Sequence, residues 1–169
     1  MEGAGSQHAR LVLLPDEGEM VVIGRLGAQF MIGGAESGGT FALVEHPIGP
    51  RVLAAPLHTH EREDEYTFVL EGEVAVQVGD EVRVVLPGDL VFKPRGVPHA
   101  VWNAGDAPAR ALGIISPAGF ERYFAEITPL LPPTAPVHPI LKRSAPSWPG
   151  TEWRWTSAPS RCSWSATGS

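Results

Sequence analysis

Apolar residues along this chain fall in short runs, and several runs alternate apolar with polar positions. Alternation with a period of two places the apolar side chains on one face, which is typical of half-buried β-strands. Glycine and proline separate the runs. In chain order, the pattern predicts ten strands at residues 21–24, 29–32, 40–45, 52–58, 66–70, 73–78, 81–86, 90–93, 99–102 and 110–115. Ten short strands at this spacing predict an all-β barrel or sandwich.

Helical periodicity occurs in one stretch, directly after the last predicted strand. Four apolar residues there are spaced to share one face of a helix: Phe120, Tyr123, Phe124 and Ile127. Ser116 is a suitable N-cap, and Pro117 suits the first turn of a helix. We therefore predict a helix that begins after Ser116 and packs on the outside of the barrel.

Composition divides the chain into four regions. Residues 1–19 are polar and are expected to form an arm with one short strand at 11–14, whereas residues 20–128 hold the predicted barrel and helix. Residues 129–143 are a proline-rich extension, which excludes a continuous helix or a central strand. Residues 144–169 are rich in serine and tryptophan without any period, so we expect a disordered tail.

Charge and composition exclude several kinds of partner. The 169 residues carry a formal charge of −6 and no basic stripe, which argues against nucleic acid. No apolar run approaches the ~18 residues of a membrane span, and the N-terminal residues do not have the pattern of a signal peptide. The single cysteine, Cys162, excludes an internal disulfide, so a cytoplasmic location is expected.

The densest group of ionisable residues lies in the segment PLHTHEREDEY, residues 56–66. His58 and His60 would point to the same face of a strand, because side chains alternate along a strand. Glu65 follows at an odd offset, but a turn in the charged EREDE segment would bring it back toward the two imidazoles. His99 begins a later strand, directly after a predicted turn at residues 94–96. These residues leave two interpretations open, a solvated loop and a metal site.

Both segments resemble the two sequence motifs of the cupin superfamily. The first motif is matched by His58, His60, Glu65 and Gly72. The second motif is matched by Gly88, Pro94, Gly96, His99 and Asn103. One position departs from the first motif, because Val52 stands where a structural glycine is usual. The resemblance implies a double-stranded β-helix, or jelly-roll, barrel, and a homodimer formed through outer strands within residues 21–32.

The resemblance also implies a set of metal ligands, namely His58, His60, Glu65 and His99. Three imidazoles and one carboxylate suit a single divalent transition metal, either Fe, Mn, Ni, Cu or Zn. The lack of a thiolate argues against a closed structural zinc site. The alternative is a degenerate cupin in which these histidines are structural. His8, His46 and His138 match no ligand position and are expected in loops or at the surface.

The segment GIISPAGFERYFAEI, residues 113–127, is similar to the C-terminal part of small bacterial quercetin 2,3-dioxygenase-like cupins. This similarity implies a dioxygenase that acts on an aromatic or enol-bearing small molecule, with Glu65 as both ligand and general base. Two alternatives are a non-oxidative isomerase, cyclase or lyase and a non-catalytic cupin that binds a small molecule. The strand pattern suggests an apolar substrate pocket lined by Phe30, Phe41, Phe68 and Val101.

Overall fold

The structure is a computed structural model, and it describes residues 12–14, 17–130, 152–153 and 166–167. Within the described residues, ten strands precede one α-helix. The strands are β1 (Glu19–Ile23), β2 (Leu26–Ile32), β3 (Ala42–Ile48), β4 (Val52–His58), β5 (Asp64–Glu71), β6 (Val74–Val78), β7 (Glu81–Val85), β8 (Leu90–Lys93), β9 (His99–Asn103) and β10 (Ala109–Ser116). Helix α1 (Arg122–Ile127) is followed by a short 3₁₀ turn at Thr128–Leu130. Two further strands of two residues each, β11 (Glu152–Trp153) and β12 (Ala166–Thr167), pair with each other.

The first ten strands form two antiparallel sheets, which confirms the predicted all-β jelly-roll fold. One sheet has six strands in the order β1-β2-β3-β10-β5-β8, and the other has four in the order β4-β9-β6-β7. The main apolar core draws buried residues from both sheets, which places it between them: Leu26, Ile48, Val69, Ala109 and Ala111 from the first sheet, and Val52, Ala54, Val74, Val76 and Val101 from the second.

All ten predicted strands occur, but one boundary matters for function. The prediction ended the third strand at residue 45, whereas β3 continues through Pro47 to Ile48. Proline cannot donate to a sheet ladder, so it usually ends a strand. Here the strand continues past the proline, because Pro47 lies opposite Arg110 of β10 and Ile48 lies opposite Ala109. The three added residues bring His46 into the barrel.

The helix prediction was correct in kind but wrong at its start. Ser116 is the last residue of β10 and not a helix cap, and α1 begins only at Arg122. Glu121 takes the N-cap position without a side-chain capping bond to the helix. Its carboxylate instead accepts hydrogen bonds from the backbone N–H groups of Gly34 and Gly119. Glu121 therefore joins the start of the helix to the segment after β2.

Two residues of the cupin motifs, Gly72 and Asn103, have structural roles. Gly72 turns the chain between β5 and β6 with φ of 72°, and a Cβ there would lie 2.7 Å from the carbonyl oxygen of Pro108. Only glycine tolerates this combination of dihedral angle and close approach. The buried amide of Asn103 donates to the carbonyl of Ala107 at 2.9 Å and accepts from the N–H of Gly105 at 2.9 Å. It thereby fixes the loop between β9 and β10.

Both ends of the chain are described only in part. Residues 12–14 form no strand, so the strand predicted at 11–14 is not present in the described part of the arm. Most of the proline-rich extension at 129–143 and of the tail at 144–169 lies outside the described residues, and the expected disorder of the tail stays a prediction. No helix in the described ranges is long and apolar enough to cross a membrane.

Candidate metal centre

Three strands bring the four predicted ligands together. His58 ends β4, and it lies directly opposite His99, the first residue of β9. His60 follows two residues after His58, beyond the end of the strand. A bend at residues 61–62 then returns the chain into β5, of which Glu65 is the second residue. The turn predicted from the charged segment is therefore present, and it restores Glu65 to the side of the imidazoles.

The four side chains converge on one point. The Nε2 atoms of His58 and His60 are 3.0 Å apart, and Nε2 of His60 is 3.0 Å from Oε1 of Glu65. Nε2 of His99 is 3.5 Å from Oε2 of the same carboxylate. One ligand atom from each residue lies within 4.8 Å of all the others. Such a group of donors could surround a single metal ion.

Backbone carbonyls orient two of the imidazoles. Nδ1 of His58 lies 2.6 Å from the carbonyl oxygen of Pro56, and Nδ1 of His99 lies 3.0 Å from that of Val97. A carbonyl only accepts, so each Nδ1 carries the proton and donates it. Each Nε2 therefore keeps its lone pair and directs it to the centre of the cluster. Metal-binding histidines are usually held in this way by a partner on the other ring nitrogen.

Burial determines the protonation and the hydrogen bonding of the imidazoles in the cluster. Burial, opposed by the Pro56 carbonyl and assisted by the neighbouring His99, lowers the pKa of His58 to about 4. The ring is therefore neutral at pH 7. His99 is fully buried, and its Nε2 has no hydrogen-bond partner within the part of the chain that the structure describes. A buried acceptor without a partner is costly, and a metal ion would satisfy it. The donor set and this orphaned nitrogen fit a divalent metal.

Lys93 is a functional residue that the motifs do not include. It ends β8 directly opposite Glu65, and its ammonium donates a hydrogen bond to Oε2 of that carboxylate. Both side chains are buried. Burial by itself would raise the pKa of Glu65, but the neighbouring Lys93 ammonium, together with a hydrogen bond from His60, holds it well below its usual range. The carboxylate is therefore ionised. The strand partner of Glu65 could have indicated Lys93, had the register of β5 and β8 been known.

Only one of the neighbouring acids enters the cluster. Asp64 is bound instead by Arg95, which donates three hydrogen bonds to it from the backbone N–H, Nε and Nη2. These bonds lower the pKa of Asp64 to about 2. Glu63 has an oxygen 3.8 Å from Nδ1 of His60, on the side of the ring away from the cluster. Strand parity thus selects Glu65, as the spacing predicted.

A cavity of about 330 Å³ adjoins the cluster. Most of its lining is apolar, and the exceptions include His58, His60 and Glu65 of the cluster, together with Lys93 and His46. Phe120, Tyr123 and Phe124 line it from the helix region. The ring of Phe120 meets that of His60 edge to face, with centroids 4.2 Å apart. The helix was predicted to pack on the outside of the barrel, and for these aromatic residues that prediction was wrong.

The structure distributes the four predicted pocket residues unevenly. Val101 lines the cavity, but Phe30, Phe41 and Phe68 do not. In β5 the buried residues are at 65, 67 and 69, so Phe68 lies on the opposite face, where 37% of it is exposed. Phe30 packs against a separate core cluster. The facing of these residues was inferred from strand patterns alone, and the structure corrects the assignments of Phe30, Phe41 and Phe68.

His46 was expected at the surface or in a loop, and the structure corrects this. It lies in β3 on the same face as Val44 and Ile48, both of which are buried. Its ring lines the cavity beside Phe124, with ring centroids 5.2 Å apart. The alternation from Ala42 to Ile48 was the signal for this position. The prediction ended this strand at residue 45 and therefore left His46 outside it.

Comparison with known proteins agrees with this architecture. Residues 47–115 match the Cupin_2 family, a cupin domain. The chain carries a cupin domain. An RmlC-like cupin from Shewanella frigidimarina has the same fold, with a TM-score of 0.55 at 22% identity over 64% of this chain and 92% of that chain.

Two curated relatives match parts of this cupin. Quercetin 2,3-dioxygenase from Bacillus subtilis is 33% identical over 89 residues, which are 53% of this chain and 26% of that protein. The tetracenomycin polyketide synthase protein TcmJ from Streptomyces glaucescens is 39% identical over 61 residues, which are 36% of this chain and 40% of that protein. The chain therefore spans less than half of the length of either relative.

Proposed function

We propose that this cupin is a metal-dependent dioxygenase that acts on an aromatic or enol-bearing small molecule. The observation that carries the proposal is the convergence of three imidazole nitrogens and one carboxylate at an apolar cavity. Divalent Fe, Mn, Ni, Cu or Zn suits this donor set. The similarity to a quercetin 2,3-dioxygenase supports an aromatic substrate of the flavonol type.

The protein would hold the metal through Nε2 of His58, His60 and His99 and through a carboxylate oxygen of Glu65. When bound, the metal would act as a Lewis acid toward a substrate hydroxyl and would promote the reaction of the substrate anion with O₂. Both atoms of O₂ enter the substrate in a dioxygenation. The reaction therefore needs no external reductant.

Glu65 would accept the proton of the substrate hydroxyl. It is ionised, and it lies at the junction of the ligand cluster and the cavity. A carboxylate with so low a pKa is a weak base, so this transfer suits an acidic enol or phenol better than an ordinary alcohol. Lys93 would hold Oε2 of the carboxylate in place while the proton moves.

The aromatic side of the cavity suits a flat substrate. Phe120 and Tyr123 are stacked with their ring centroids 5.4 Å apart and their planes 9° from parallel. Phe124 meets Phe120 edge to face at 6.0 Å. Aromatic surfaces of this kind bind aromatic rings and exclude water from the reacting atoms. This region would therefore position the substrate next to the ligand cluster.

A second candidate is non-oxidative chemistry on the same cluster, such as isomerisation, cyclisation or elimination. The same donor set supports it, because a divalent metal held there could act as a Lewis acid without O₂. Glu65 would again accept a proton from an acidic substrate position. The two candidates differ in one measurable respect, because only the first consumes O₂.

Oxygen uptake tests the proposal. Protein loaded in turn with each of the five metals would be supplied with quercetin and with a panel of phenols and enols. We expect one O₂ consumed per substrate with at least one metal, and a loss of about 100-fold or more in Glu65→Gln. Asp64→Asn is the matched control, because Asp64 binds Arg95 outside the cluster.

The other outcomes separate the candidates. Substrate loss without O₂ uptake would contradict the dioxygenase and support non-oxidative chemistry. Ligand binding without either reaction, with every metal, would indicate a non-catalytic cupin and would contradict both enzymatic candidates.

A further inference from the structure

His46 is an imidazole in the cavity that does not belong to the ligand cluster. Alternation along β3 turns it inward together with Val44 and Ile48. The ring is half-buried, and it contributes to the cavity lining. The group of potential ligands among the described residues includes His58, His60, Glu65 and His99 but not His46. The proposed metal therefore gives His46 no role.

A backbone carbonyl fixes the tautomer of this ring. Nδ1 of His46 is 3.1 Å from the carbonyl oxygen of Gly27 in the neighbouring strand. Nδ1 must therefore carry the proton and donate it, which leaves the lone pair on Nε2. Burial lowers the pKa of His46, so the ring is neutral at pH 7 and Nε2 remains an acceptor.

Packing holds the other ring nitrogen of His46, Nε2, in place. No hydrogen bond to Nε2 of His46 is present among the residues that the structure describes. A Cβ built on Gly113 of β10 would lie 3.3 Å from this nitrogen. The ring thus packs over a glycine backbone on one side and contacts the Phe124 ring on the other. Its position is fixed by packing, which is how proteins prepare an acceptor for a ligand.

We propose that Nε2 of His46 is a second recognition point in the cavity, which accepts a hydrogen bond from a hydroxyl or N–H group of an aromatic ligand. The inference goes beyond the reaction proposed above, because it rests on the geometry of His46 and not on metal chemistry. An acceptor without a donor of its own selects ligands that bring one. The ring of Phe124 beside it would contact the aromatic part of the same ligand.

Phenol and anisole are the probes that test this inference. They are similar in shape, but only phenol has a hydroxyl to donate. The full-length protein would be loaded with Zn²⁺, so that the ligand cluster is occupied, and titrated with each probe. Long-range ¹H–¹⁵N correlation spectra would report the tautomer of His46 and the resonance of its Nε2.

We expect the Nε2 resonance of His46 to move with phenol and not with anisole. Phenol should bind about tenfold more tightly than anisole, which is the contribution of one hydrogen bond. In His46→Phe this preference should fall to within about twofold, while the Zn²⁺ content stays that of the wild type. The phenylalanine keeps an aromatic ring next to Phe124 and removes both ring nitrogens, namely the Nε2 acceptor and the Nδ1–H that donates to Gly27.

A second variant covers the case in which His46→Phe does not fold. Gly113→Ala adds a methyl group that must displace the His46 ring by a few tenths of an ångström. It should reduce the preference for phenol without removing the imidazole. An Nε2 resonance that phenol does not move, or a preference for phenol that is unchanged in the variants, would overturn the inference. Failure of both probes to bind would overturn it equally, whereas absent O₂ uptake would not affect it.

Discussion

The ligand cluster and His46 orient imidazoles in the same way but for different purposes. His58 and His99 in the cluster, and His46 outside it, each donate Nδ1–H to a backbone carbonyl, which leaves the lone pair on Nε2. In the cluster, two further donors converge on these nitrogens, and one of them is a carboxylate. The imidazole of His46 instead contacts an aromatic ring. A metal ion would need several converging donors, one of them charged, whereas a lone imidazole can serve as a hydrogen-bond acceptor.

Charge compensation is the second difference. Glu65 shares its buried environment with Lys93, so the cluster contains a carboxylate that is ionised and already paired. His46 has neither an acid nor a base in hydrogen-bonding contact, within the described residues. The cluster would therefore present an ionised carboxylate to a metal ion, whereas His46 would present a neutral acceptor to a ligand. This contrast yields four predictions, from the largest expected effect to the smallest.

Loss of one ligand should separate the roles of the cluster and of His46 most clearly. His99→Ala removes a fully buried donor from the cluster. Loss of a residue that only supports a metal ligand typically lowers metal affinity by about 10- to 100-fold. We expect the loss of the ligand itself to lower the affinity by more than this. His46→Phe should keep the affinity of the wild type. Metal titration by calorimetry makes the comparison, and equal losses in the two variants would show that the cluster and His46 do not have distinct roles.

Lys93→Met should destabilise the metal-free protein. Removing one partner of a buried ion pair leaves Glu65 uncompensated, at a cost of about 3–5 kcal/mol in the free energy of unfolding. Added Zn²⁺ should restore much of this loss, because the metal supplies the missing positive charge. Urea unfolding with and without Zn²⁺ measures both effects. Arg95→Gln, which removes an exposed ion pair, serves as control, and an equal loss there would argue against a special role for Lys93.

Acid should destabilise the metal-free protein through His58. Its pKa is about 4 in the folded state and 6.5 in the unfolded state, so the unfolded state binds the proton first. Stability is complete above pH 6.5 and decreases as the pH falls toward 4, by at most about 3 kcal/mol. Urea unfolding across this range measures the loss. A free energy of unfolding that stays constant from pH 7 to 4.5 would contradict this account of the cluster.

Substitution of a neighbouring acid should have the smallest effect. Glu63→Gln leaves all four ligands in place, and the carboxylate it removes is 3.8 Å from the ring nitrogen that faces away from the cluster. Metal affinity should stay within a few-fold of the wild type, whereas Glu65→Gln should lower it by more than tenfold. Parallel metal titrations decide this, and the reverse order would show that the fourth ligand is assigned to the wrong acid.

Local spacing and the motif resemblance together explain how much of the candidate metal centre could be anticipated from the sequence. His58 and His60 are two residues apart, and the charged segment that follows was interpreted as a turn, so strand periodicity could orient these two residues and Glu65. The residues alone left a solvated loop as an alternative, and the full ligand set, with His99 from a later strand, was implied by the resemblance to cupins. The ten strands were predictable from local spacing, because each depends on alternation between neighbouring residues.

Features that depend on pairing between distant strands could not be predicted. Lys93 acquires its role only from the register that places it opposite Glu65, 28 positions earlier in the chain. His46 required β3 to continue through Pro47, against the usual preference of proline. The inward direction of Phe120 depends on where the chain leaves β10 and re-enters the cavity. None of these is contained in local periodicity.

X-ray absorption at the zinc edge, on full-length protein loaded with one equivalent of Zn²⁺, tests the central claim most directly. We predict three imidazole ligands with Zn–N distances of about 2.0–2.1 Å, together with oxygen and no sulfur. The same spectrum of His46→Phe should be unchanged. A first shell made of oxygen alone, or one with fewer than three imidazoles in the wild type, would contradict the proposed metal centre.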